Sequence, residues 1–188
     1  MNEAPEGRTV DLTPRTVDEG PGTGDLKSVS ESVLASRGGA HGSWPWTRKL
    51  LAAADTQFQS RWAAMTIDGA DALEIRLPSH AGEPCKGDLL TLVGANGATV
   101  RQAAATLERV ANAYARHNTS CMGRIEFAAA APLSQIVLCA APLNWEEYAD
   151  VTPADGALYC VDGFHRLVAW AWKGRLTAGV ELPIWLAR

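Results

Sequence analysis

The chain has 188 residues, 47% of them hydrophobic, with seven tryptophans and a formal net charge of −4. That length holds one ordinary domain plus a tail, and the apolar content excludes disorder throughout. The acidic balance speaks against a protein that coats nucleic acid, because such binding is driven by counterion release from phosphates.

The four cysteines, Cys85, Cys121, Cys139 and Cys160, form no C-x-x-C pair, so a zinc site of paired thiolates is not expected. The first residues are acidic and no apolar run follows them, which is not the pattern of a secretory signal. No stretch approaches the roughly 20 apolar residues of a membrane helix. The expectation is a soluble, cytoplasmic protein with reduced thiols and no membrane partner.

Residues 1–43 mix Gly, Pro, Ser, Thr and charges without a period, and read as a flexible tail in which 26–34 can form a short helix. Residues 44–188 read as a single domain. Leu50, Leu51, Ala54, Phe58, Trp62 and Ala63 recur near every 3.6 residues, which predicts a helix ending around 65–69. Residues 72–77 alternate apolar and charged, the pattern of a half-exposed strand. A polar loop with His80, Glu83, Cys85 and Lys86 follows, then a strand at 88–93 and a turn at 94–97.

The clearest helix spans 98–117, with Val100, Ala104, Leu107, Val110, Ala111 and Tyr114 on one side and a solvated charged face opposite. Strands are expected at 124–129 and 134–140, the second apolar enough for the middle of a sheet. Asn144 is placed to cap a short helix reaching Asp150. A strand at 157–161, a helix at 164–172 and a strand at 181–186 complete the chain. This mixed order predicts an α+β fold, or α/β with an incomplete parallel core.

Chemistry concentrates where strand 157–161 meets the next helix, at Asp162-Gly163-Phe164-His165-Arg166. A helix start presents N–H groups and the positive end of its dipole, which suits an anion. Glycine permits close approach to the backbone. Arginine offers a two-pronged donor to phosphate oxygens, and histidine can move a proton near neutral pH. The competing readings are structural: Asp162 as an N-cap, Gly163 as a turn residue, Arg166 as a surface partner of Glu181.

From Ala157 onward the chain resembles the box shared by ParB-type nuclease folds, sulfiredoxins and free-serine kinases. That box is a strand, a Gly-x-x-Arg turn (often Gly-x-His-Arg), a helix with small residues, a glycine turn and a strand opening near Ile-Pro or Val-Pro. Here it reads Leu158-Tyr159-Cys160-Val161-Asp162-Gly163-Phe164-His165-Arg166, then Lys173-Gly174-Arg175, then Leu182-Pro183-Ile184-Trp185. The match covers about 30 residues of the chain. The resemblance implies a ParB/sulfiredoxin-like mixed sheet flanked by helices, and a phosphate grip by Gly163, His165 and Arg166. Sulfiredoxins carry their reacting cysteine just before the His-Arg pair, where this chain has Phe164, so that chemistry is not expected.

The reading is a nucleotide-binding enzyme, kinase-like, that transfers or hydrolyses a phosphoryl group with a small-molecule acceptor. ATP or ADP with Mg2+ is the expected cofactor. His165, Glu83 and Asp162 are the candidate catalytic groups, and Gly163, Phe164, His165, Arg166 and Lys86 the candidate phosphate-binding set. Two other readings stay open: a ParB-like DNA- or nucleotide-binding regulator without turnover, and a biosynthetic enzyme using His165 for non-phosphoryl acid/base chemistry. DNA is disfavoured by the acidic balance. A homodimer contact is one role for Trp44 and Trp46.

Overall fold

The computed structural model describes residues 24–36, 44–79 and 97–188. Its fold is α+β, a four-stranded mixed sheet with six helices among the described residues. The strands are β1 (Trp62–Asp68), β2 (Ile136–Cys139), β3 (Tyr159–Asp162) and β4 (Glu181–Ala187). They lie in the order β1-β4-β2-β3. β1 and β4 are antiparallel, β4 and β2 parallel, and β2 and β3 antiparallel. No described helix is long and apolar enough to cross a membrane.

All four side chains of β2, Ile-Val-Leu-Cys, are buried. A strand with no polar face is stable only where both faces of its sheet are covered, and both are. One face carries α3 (Gly69–Ala72), α4 (Val100–His117), α5 (Thr119–Ala130) and α6 (Phe164–Trp172), packed on Ile67, Ile136, Leu138, Cys160, Leu182 and Ile184. The other carries α1 (Leu26–Ser36) and α2 (Trp44–Gln57), packed on Trp62, Val137, Cys139, Tyr159, Val161 and Trp185. Alternation along each strand sends successive residues to opposite layers.

Local chemistry explains the helix boundaries. Thr99 and Gln102 form a reciprocal capping box at the start of α4. Asn118 ends α4 and starts α5: its carbonyl accepts from Cys121 N at 3.4 Å and its amide donates to the Tyr114 hydroxyl at 3.1 Å. At the far end of α5, Trp170 Nε1 donates to Ala128 O and Arg175 Nη1 to Ala129 O and Ala131 O. Arg175 thus satisfies carbonyls at the end of the helix, and Trp170 adds a second donor to Ala128 O, which also accepts from Ala131 N.

Three expectations need correction. The helix through Phe58 does not run to 65: α2 ends at Gln57, Gln59 and Ser60 take positive φ of 54° and 58°, and Trp62 opens β1. Pairing with β4 outweighs the helical spacing of Trp62. Residues 124–129 belong to α5 rather than to a strand, with Cys121, Met122, Ile125 and Ala128 buried at helical spacing. The alanine-rich segment favours helix intrinsically. Asn144 caps no α-helix; a 3-10 turn spans Glu146–Tyr148 with Trp145 in the capping position.

A fourth expectation fails at 72–77, where no strand forms: Ala72 ends α3, and beyond it only Arg76 takes part in isolated bridges. Its N–H donates to Leu158 O at 2.8 Å, and its carbonyl accepts from Cys160 N at 2.9 Å, beside β3. The short helix allowed at 26–34 is present as α1, with Val29 and Val33 fully buried. The expected strand at 88–93 lies outside the described residues.

Candidate functional site

β3 is buried along its whole length, and the chain must leave the sheet immediately after Asp162 to begin α6. Gly163 makes that exit in the left-handed region, at φ 112° and ψ 10°. A Cβ at this position would lie 2.6 Å from Ile136 Cγ2 and 3.0 Å from Ile136 Cβ. Glycine is therefore required twice, for the backbone angle and for the approach of β2. The sequence pattern suggests a ligand for that close approach. On the side where a Cβ would point, Ile136 takes it.

Gly163 occupies the N-cap position of α6, and no side chain caps the helix there. The first backbone bond of α6 is Leu167 N to Gly163 O at 2.9 Å. Phe164 is 7% exposed and joins the core beneath α6, so its role is packing. Its ring meets the His165 ring edge-on, with centroids 5.6 Å apart. His165 itself is half-buried in the first turn.

Gly163 rather than Asp162 holds the N-cap position of α6, and the partner found for Arg166 is Asp162. The two pair with each other: Arg166 Nη2 lies 2.7 Å from Asp162 Oδ2, with the side chains 14% and 4% exposed. Arg166 Nη1 donates to Ser134 Oγ and to Gln135 O, both at 2.8 Å. The guanidinium thus ties the end of β3, the first turn of α6 and the approach to β2 into one brace. Burial lowers its pKa from the ordinary arginine value to about 10, with the nearby Cys160 acting in the opposite direction. It stays charged at neutral pH, held by a carboxylate and two further acceptors. That is the geometry a buried ion pair needs to offset its desolvation.

The structure brings Asp162, Gly163, Phe164, His165 and Arg166 together, while Glu83 and Lys86 lie outside the described residues. Ser134 and Gln135 were missed by sequence reasoning. Their only signal is that they are a polar pair at the head of an apolar strand. The Asp162 carboxylate is engaged by Arg166, and no three described His, Cys, Asp or Glu side chains gather in a way that could hold a metal. This donor set does not fit a resident magnesium ion. Magnesium arriving with a nucleotide is held largely by phosphates and water.

A family of unknown function, DUF6309, matches residues 45–188. The chain belongs to this family. No curated protein matches it, and no solved structure does. The DUF6309 region takes in the whole sheet and α3 to α6, including the brace, whereas α1 precedes it.

The cysteines near the site have a packing role. Cys139 and Cys160 sit on neighbouring strands but in opposite layers, and Cys121 is buried in α5. The Tyr148 hydroxyl donates to Cys160 O. Burial, with smaller contributions from neighbouring acids, pushes the Cys139 thiol and the Tyr148 phenol well above their ordinary values of 9.0 and 10.0. The folded state therefore keeps protons that the unfolded chain releases at those values. Stability is complete below pH 9.0 and falls as pH rises from there. Each such group contributes a slope of at most about 1.4 kcal/mol per pH unit. Arg166 acts oppositely above about 10, so the clean window lies between 9.0 and 10.0. Urea unfolding across this window should show the decline, and Cys139→Ala should flatten it. An unchanged slope in that variant would discard the assignment.

Proposed function

We propose that this protein binds the phosphate of a nucleotide, ATP or ADP, or of another phosphorylated small molecule, at the turn between β3 and α6. The observation that carries the reading is the start of α6: a buried strand enters the helix through a left-handed glycine, with no capping side chain and with His165 in the first turn. The first-turn N–H groups of a helix have no acceptor within the helix, and the dipole there favours negative charge.

The role of Arg166 changes with its geometry. Neutralised by Asp162, it serves as the brace that holds the tip. The likeness of residues 157–188 to the ParB/sulfiredoxin-like box supports the same reading. In its enzymatic form, His165 moves the proton while the tip and its dipole stabilise charge on the transferring group.

Thermal-shift measurements with ATP, ADP, pyrophosphate and phosphate, with and without magnesium, test the binding. A ligand at 100 times its Kd stabilises by about 2.7 kcal/mol, which for a chain of this size raises Tm by roughly 5–10 °C. His165→Ala should keep the fold and lose most of that shift. Failure of all four ligands at millimolar concentration would remove the assignment.

A further inference from the structure

Gln135 is bonded on two sides. Its backbone carbonyl accepts from Arg166 Nη1 at 2.8 Å, and its side-chain oxygen accepts from the Ser32 hydroxyl of α1. α1 precedes the family-matched residues and lies over the second face of the sheet. Val29 and Val33 are fully buried, Gly24 N donates to Trp62 O at 3.2 Å, and Gly24 sits against the Trp185 ring, where a Cβ would lie 2.6 Å from Cη2.

We infer that α1 is a strap whose docking, through Ser32 and Gln135, holds the Arg166 brace and so preorganises the anion-binding tip of α6. This rests on the phosphate-binding reading above. The physical path is short: Ser32 fixes the Gln135 side chain, the Gln135 carbonyl and Ser134 hydroxyl fix the guanidinium, and the guanidinium fixes Asp162 at the end of β3. A site ordered before the ligand arrives binds it more tightly than one ordered by it. Ser32 and Gln135 are positioning residues.

The test compares the full chain with Ser32→Ala, Ser32→Thr and the double variant Val29→Asp/Val33→Asp, using amide hydrogen exchange and ADP titration. Ser32→Ala should leave residues 26–36 as protected as in the parent while exchange in 131–136 rises about fivefold, the worth of one hydrogen bond. ADP affinity should fall by a similar factor, and Ser32→Thr should restore both. The double variant should expose 26–36 and 131–136 together. If Ser32→Ala leaves exchange in 131–136 at the parent rate, the strap is not linked to the brace and the inference fails. It fails too if exchange rises but ADP affinity holds. If the parent chain binds none of ATP, ADP, pyrophosphate and phosphate, the phosphate reading falls, and the inferred preorganisation of that site falls with it. The exchange data then still decide whether Ser32 and the brace are mechanically linked. Should the double variant not fold, Ser32→Ala decides alone.

Discussion

Arg166→Ala is expected to lower the unfolding free energy by about 3–5 kcal/mol, because it leaves the Asp162 carboxylate buried and uncompensated. At 2–4 °C per kcal/mol for a chain of this length, Tm should drop by roughly 6–20 °C. The size of the effect follows from geometry. Asp162 is 4% exposed, and the guanidinium it loses also serves Ser134 and Gln135. Removing both charges together, as Asp162→Asn with Arg166→Met, should recover much of the loss, since a neutral pair of similar volume carries no desolvation cost. The double-mutant cycle, measured by urea unfolding near neutral pH, gives the coupling directly. A loss below about 1 kcal/mol for Arg166→Ala would mean the brace is not a stabilising element.

Gly163→Ala should cost about 2–4 kcal/mol, combining backbone strain at positive φ with overpacking against β2. The added methyl would sit 2.6 Å from Ile136 Cγ2, on a strand whose four side chains are all buried and have little room to move. The two causes can be told apart. In an Ile136→Ala background the collision disappears and only the strain at φ 112° remains, so Gly163→Ala should be measurably milder there. Equal costs in both backgrounds would assign the whole effect to the backbone angle. Urea midpoints of the four proteins supply the comparison.

Much of this architecture can be read from local pattern. Helix 164–172 and the 181–186 strand were placed within a residue of their observed ends, because an apolar strand, a glycine and a short amphipathic segment carry their own boundary signals. The amphipathic α4 was equally plain: expected over 98–117, it spans Val100–His117. β1 was not. Trp62 continues the helical spacing of Phe58, and only its pairing with Ala187 in β4 makes it a strand residue. For α5, an alanine-rich apolar run reads equally well as strand or helix until its neighbours are known.

The site divides in the same way. From its own residues the chain determined that a strand runs through Gly163 into a helix whose first turn holds a histidine and an arginine, since backbone angle, cap and period act over a few neighbouring residues. What Arg166 does there was decided by Ser134 and Gln135, 32 and 31 positions away, and behind them by Ser32 at a separation of 103 from Gln135. In the low-dielectric interior a guanidinium must be matched by the acceptors that packing delivers, and which acceptors those are is settled by the order of strands in the sheet. The turn is a local property; the brace belongs to the tertiary structure.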